Sequence, residues 1–316
     1  MRRAWVLAVL LFVAPIGRAD AADGCTFLTS DTTWTLEADC TVSASIIVPD
    51  GVTVDGNHHT IVALDPAGGF FRGGVIVTAG ASATVTNTVI TAVMLANVCQ
   101  EGADRLRAIF FNGASGVIRG NTILNVNKES SDCPEGNGIE VRNIDLDGPA
   151  ARVDVSGNVI DAFQKTGIVV SGNVDATIRS NTVGPSSAQR VLVANGIQVG
   201  AGSRALIEGN TIAGNSWGRE DAAATAILLV NTAPGTVVRG NSIIGNADVG
   251  IYVMANGVSV NRNRLTDDAP DARFDVGIGN YGDNNRFEGN SITGFGIRYQ
   301  NVTEPDGSRS VVAGRE

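Results

Sequence analysis

One short phrase returns through the chain and limits what it can become: an aliphatic residue, a variable residue, a Gly or Ser, an Asn, and soon another aliphatic. It reads Val54-Asp55-Gly56-Asn57, Ile118-Arg119-Gly120-Asn121, Val155-Ser156-Gly157-Asn158, Ile178-Arg179-Ser180-Asn181, Ile207-Glu208-Gly209-Asn210, Val238-Arg239-Gly240-Asn241, Val260-Asn261-Arg262-Asn263 and Phe287-Glu288-Gly289-Asn290. A looser copy, Val85-Thr86-Asn87, fills the gap between the first two. From Asn121 onward the asparagines stand 22 to 37 residues apart, so a minimal unit recurs with insertions of varying length. A period in this range predicts a solenoid.

A second phrase, out of phase with the first, specifies the kind of solenoid. Ala108-Ile109-Phe110-Phe111, Gly138-Ile139-Glu140-Val141, Gly167-Ile168-Val169-Val170, Gly196-Ile197-Gln198-Val199, Ala226-Ile227-Leu228-Leu229, Gly250-Ile251-Tyr252-Val253, Gly277-Ile278 and Gly296-Ile297-Arg298-Tyr299 alternate aliphatic with variable residues. A period of two is that of a strand. Each unit then holds a strand opening at Gly-Ile, a second ending at Gly-Asn, and a third starting just after the Asn. No stretch beyond the first residues shows sustained helical periodicity. The expected fold is all-β, a right-handed parallel β-helix of about nine or ten coils and three sheets. The repeated Asn sits where the second strand bends into the third. Its amide can pair with turn backbone groups and with the amide of the next coil, forming a ladder.

On these repeats the sequence resembles the right-handed parallel β-helix proteins of the pectate-lyase-like superfamily, over about residues 45 to 301. The resemblance implies the fold. It does not imply one activity, because lyases, hydrolases, epimerases, periplasmic accessory proteins and adhesins share that fold. The Asn-Thr-Asp, Asp-Asp, Gly-His-Gly and Arg-Ile-Lys segments of the polygalacturonase-like enzymes are missing apart from Asp267-Asp268, and so are the pectate-lyase-like segments. No catalytic residue is carried over from them.

The start of the chain reads as an export leader, residues 1–21. Arg2 and Arg3 precede an apolar segment at 4–15 that is short for a stable membrane span, and Ala19-Asp20-Ala21 offers small residues for cleavage. Residues 22–50 are expected to cap the solenoid, 51–300 to form it and 301–316 to be a tail. The formal charge of −9 includes Arg2, Arg3, Arg18 and Asp20 of the leader. An acidic chain of this kind is a poor partner for nucleic acid or anionic lipid. No membrane span is expected after the leader, and a monomer is expected. Four cysteines suit an oxidising compartment, secreted or periplasmic. Cys25 and Cys40 flank the first strand signal, and Cys99 and Cys133 fall in equivalent segments of neighbouring coils, so the pairs Cys25–Cys40 and Cys99–Cys133 are expected.

Length variation concentrates between the third strand and the next Gly-Ile strand, as at 92–107, 124–137, 184–195 and 213–225. Unequal loops on one edge of a rigid scaffold wall a groove. Its floor is the outer face of the Gly-Ile sheet, where alternation places Phe110, Glu140, Val169, Gln198, Leu228 and Tyr252, then Arg142, Ser171, Val230, Met254 and Tyr281, with Arg298 and Gln300 at the end. The candidate catalytic residues are Glu140, Arg142, Lys165 and Glu220, since a cation beside a carboxylate can move a proton when burial tunes it. Lys128 and Lys165 are the two lysines of the chain. The candidate binding residues are Lys128, Gln198, Trp217, Leu228, Tyr252, Met254 and Tyr281. No metal site is expected; calcium is the one cofactor the acidic loops could hold, and no calcium loop is read from the sequence. His58 and His59 are expected to be turn and sheet residues.

Three functions fit. The first is binding, with lyase or hydrolase cleavage, of a polysaccharide along the Gly-Ile sheet. The second is a non-catalytic extracellular or periplasmic scaffold. The third is an isomerase or cyclase acting on a small apolar ligand over Leu228 and Tyr252.

Overall fold

The computed structural model describes residues 17–21, 24–92, 94–128, 132–189, 191–217, 221–269, 274–301 and 311–313. They form three sheets of 13, 10 and 10 strands. Each coil contributes one strand to each sheet, so the strand that opens one coil pairs in parallel with the strand that opens the next. The one helical element among the described residues is a single turn at Gly102–Asp104. The fold is the right-handed parallel β-helix expected from the repeats.

Parallel stacking aligns like with like. Ile109, Ile139, Ile168, Ile197, Ile227, Ile251 and Ile278 form one inward column on the Gly-Ile sheet, all buried. Val85, Ile118, Val155, Ile178, Ile207, Val238, Val260 and Phe287 form another on the Gly-Asn sheet. One continuous apolar core results, and burying these side chains is the main driving force for the fold.

The Asn ladder runs from Asn121 through Asn158, Asn181, Asn210, Asn241 and Asn263 to Asn290. In each step the backbone N–H and the Nδ2 of one Asn donate to Oδ1 of the next, at 2.9–3.0 Å. Nδ2 also donates back to a carbonyl of the preceding coil, as Asn181 does to Val155. The ladder is shorter than the sequence phrase. Thr88 occupies its first step and donates its N–H to Asn121, while Asn57 is exposed at positive φ.

The front end departs from parallel pairing. Gly17–Ala21, inside the expected leader, and Cys25–Ser30 extend the Gly-Asn sheet as antiparallel strands, and parallel stacking begins at Thr33–Leu36. Cys25 and Cys40 are bonded there, as Cys99 and Cys133 are further on. At the back, Val311–Ala313 adds the last strand to the Gly-Asn sheet.

Register slips by two residues in the last Gly-Ile strand. Tyr299, not Ile297, lies opposite Ile278, and Ile297 is 47% exposed. The larger ring covers the end of the core, and Ile297 is pushed out to the column of Val276.

Candidate functional site

Glycine precedes isoleucine in most coils for a steric reason. A Cβ on Gly138 would lie 2.6 Å from the Gly167 carbonyl oxygen and 2.7 Å from Ile160, and Gly167 and Gly196 are equally confined. This position therefore faces the core, as the following Ile does. The consequence is that the residue two before the Ile faces outward. Arg107, Asn137, Thr166, Asn195, Thr225, Val249 and Val276 form a third outward column that simple alternation misses. Its signal in the sequence is a polar residue standing before Gly or Ala in five successive coils.

Arg107 belongs to this column and shapes one end of the floor. It is 1% exposed, and its Nε donates to Glu140 Oε2 at 2.5 Å. Its other nitrogens donate to the carbonyls of Gly102, Ala103 and Arg105, so it pins the loop at 94–106 over the sheet. Asn137 also donates to Glu140 Oε2, and Arg142 lies 3.7 Å from Oε1. Both guanidinium groups pack over the Phe110 ring, at 4.4 and 5.0 Å from its centre. Glu140 is thus a buried, shared counterion.

Lys128 is buried as well. It is 1% exposed, 3.0 Å from Glu135 Oε2, and donates to the Val98 carbonyl at 2.6 Å. Glu135 in turn accepts the N–H groups of Gln100 and Leu106. With the Cys99–Cys133 bond, this pair knits two neighbouring loops into a lid over Phe110 and Glu140. Lys128 is enclosed in the lid rather than exposed on the floor.

Lys165 differs from both. It is half-buried, donates from Nζ to the Val193 carbonyl, and faces no carboxylate among the described residues. Burial first, and then the charge of Arg105, hold its ammonium below the usual lysine range. Nε of Arg105 is itself buried without a partner, as are Nε of Arg142 and Oδ1 of Asn137.

Beyond the lid the floor opens. Val169, Gln198, Leu228, Val230, Tyr252 and Tyr281 are half-exposed and Met254 is 40% exposed. Beneath them Thr225 donates to Asn195, and Asn195 to Gln198, fixing the Gln198 amide. The Tyr252 and Tyr281 rings meet edge to face with centres 5.1 Å apart, and the Tyr281 hydroxyl donates to Gln300. Burial, with help from Tyr281, pushes the Tyr252 phenol up to about 12, so it is neutral at physiological pH. From Arg142 to Tyr281 the face crosses six strands, about 24 Å at about 4.8 Å per strand.

Trp217 stands in the wall rather than on the floor. Its backbone N–H donates to Asp248 and its indole to Asp221. Glu220 lies outside the described residues. His59 is 3.3 Å from Asp39 near the front end, far in sequence and coil from the floor.

The outward positions of the described Gly-Ile strands carry one carboxylate, Glu140, and it is fully engaged. Glycosidic hydrolysis by two carboxylates needs a second at about 5–10 Å.

The sequence matches the family described as right handed beta helix region over residues 38–308. The chain belongs to that family. Among solved β-helix structures, a tailspike protein from an Escherichia coli bacteriophage superposes with a TM-score of 0.51 at 13% identity, covering 90% of this chain and 37% of the tailspike. A variant of the periplasmic alginate epimerase AlgG gives 0.42 at 14% identity, covering 82% of this chain and 62% of the epimerase. The A-module of a mannuronan C-5 epimerase from Azotobacter vinelandii gives 0.41 at 14%, covering 88% and 89%. The β-helix described here therefore spans about three fifths of the alginate epimerase and little over a third of the tailspike. At such identities the likeness is one of fold. No curated protein matches the sequence significantly.

Proposed function

We propose that this β-helix protein is secreted or periplasmic and binds a polysaccharide laid along the outer face of the Gly-Ile sheet, from Arg142 to Tyr281. The observation that carries the reading is the floor itself. It is half-open over successive coils, and it repeats at the strand spacing. Flat aromatic and aliphatic surface at Leu228, Tyr252 and Tyr281 suits the faces of sugar rings, and the fixed amide of Gln198 suits their hydroxyls. Two disulfides fit an exported protein. An open, elongated face favours a polymer over a small apolar ligand, which would need a closed pocket.

Binding is measured by titrating neutral and acid-bearing polysaccharides against the protein and a Tyr252→Ala/Tyr281→Ala variant. A polymer that binds the parent and loses about tenfold or more in affinity for the variant supports the reading. A polymer bound equally by both, or no polymer bound at all, sinks it and leaves the scaffold function.

A further inference from the structure

The edge where Gly-Ile strands turn into Gly-Asn strands carries surface that polysaccharide binding does not use. In two coils this turn is short, at 113–114 and at 173, but in the coil between them it runs through 144–150. Side chains brace this longer loop. Asn173 Nδ2 donates to the carbonyls of Asp145 and Gly148, Asn143 Nδ2 donates to that of Pro149, and Asp145 Oδ1 accepts the N–H groups of Asp147 and Gly148. So held, the loop turns Ile144 and Leu146 out to solvent, 77% and 71% exposed. A single exposed aliphatic residue is ordinary, but two on a braced loop make a contact surface. Asp147 follows them, exposed and without an ion pair among the described residues.

The strand after this loop helps to line a groove of ≈ 510 Å³ in the outer face of the Gly-Asn sheet, which crosses neighbouring strands from Gly116 to Val237. Parallel register sets Arg152, Asp175 and Arg204 in one row of its lining, and Thr177, Leu206 and Val237 in the next. Arg179 holds Asp154 through two contacts of 3.0 Å, and Arg204 lies 3.7 Å from Asp175. Arg152 is left exposed and without an ion pair among the described residues. The groove thus joins aliphatic surface to an uncommitted cation, and the loop joins aliphatic surface to an uncommitted anion. We propose that two copies of the chain associate about a two-fold axis, each seating Ile144 and Leu146 in the other's groove against Leu206 and Val237, with Asp147 facing Arg152. Both halves of the match stand on this chain, which is the reason for a second copy rather than another protein. Loop and groove share one edge, since the loop leads straight into Ala151–Ser156. A two-fold contact uses the same patch on both copies, so both loops can be seated at once. The proposal goes beyond polymer binding, and it can succeed or fail independently of the Tyr252 and Tyr281 test.

The test is sedimentation velocity of the parent and its variants over a wide concentration series. The parent is expected to pass from monomer to dimer as concentration rises. Ile144→Asp combined with Leu146→Asp should weaken association about tenfold or more. It should leave the β-sheet circular dichroism unchanged, because neither side chain is buried within the single chain. Asp147→Arg and Arg152→Glu should each weaken association by setting like charges against each other. Mixed in equal amounts, these two variants should form a heterodimer close to the parent in affinity, since each contact then joins opposite charges. A parent that stays monomeric throughout the series overturns the proposal. So does a dimer retained in full by the Ile144→Asp/Leu146→Asp variant, or a mixture of the charge variants that associates no better than either alone.

Discussion

Lys128 and Glu135 form an ion pair of 3.0 Å inside the lid, their side chains 2% and 0% exposed. A buried pair of this kind adds little to stability beyond what apolar residues would give, yet removing one partner strands the other charge away from water. Glu135 is the costlier loss, because it also accepts the N–H groups of Gln100 and Leu106. Glu135→Ala is expected to destabilise the fold by about 3–5 kcal/mol, and Lys128→Met by less. Urea unfolding of the two variants checks the order, and a reversed order would contradict this account of the lid.

The Asn ladder makes a sharper comparison. Asn181 donates to Asn210 and Val155 and accepts two bonds from Asn158, and all three asparagines are buried. Asn181→Ala leaves buried donors on Asn158 unpaired and is expected to cost about 1–3 kcal/mol. Asn57 has the same place in the sequence phrase but is exposed at φ 48°, so Asn57→Gly is expected to change stability by less than about 0.5 kcal/mol. Equal losses from both would mean that the phrase, not the ladder, sets the energetics.

These two asparagines also show where sequence reading works and where it stops. Strand alternation and the Asn turn are local patterns repeated coil after coil, so the three sheets, the core columns and both disulfides could be read from spacing. Asn57 fails because a ladder step needs a partner in the next coil, and Thr88 stands there. Burial of Lys128 depended on a loop folding back to bring Glu135 to it, which no periodicity encodes. Arg107 was missed because Ala108, in the core-facing place that glycine takes in most coils, inverts the alternation by one residue. The outward positions from Gln198 to Met254 lie on regular strand, which is why alternation could read their direction.

Arg107 and Glu140 invite a double-mutant cycle. Arg107 is 1% exposed, and its guanidinium faces Glu140 and the loop carbonyls. Glu140→Ala is expected to lower stability by about 3–5 kcal/mol by stranding that charge. Arg107→Met combined with Glu140→Met should recover part of the loss, since apolar residues of similar volume remove both desolvation costs. Calorimetric or urea unfolding of the single and double variants decides it. Strictly additive losses would show that the two side chains are not coupled.

Lys165 makes stability depend on pH in a direction that can be worked out. Burial, then the charge of Arg105, place its folded pKa below the 10.5 of a free lysine. Between those two values the unfolded chain binds more protons than the folded one, so this group's contribution to stability rises with pH across that window. Below the folded pKa the penalty for a desolvated ammonium is in full force. Lys165→Met removes it. The variant should therefore be more stable than the parent at neutral pH, and its advantage should shrink as pH climbs towards 10.5. Urea midpoints of the two proteins over that range give the difference directly. A gap that stays constant or widens with pH would show that Lys165 is not desolvated in the folded protein.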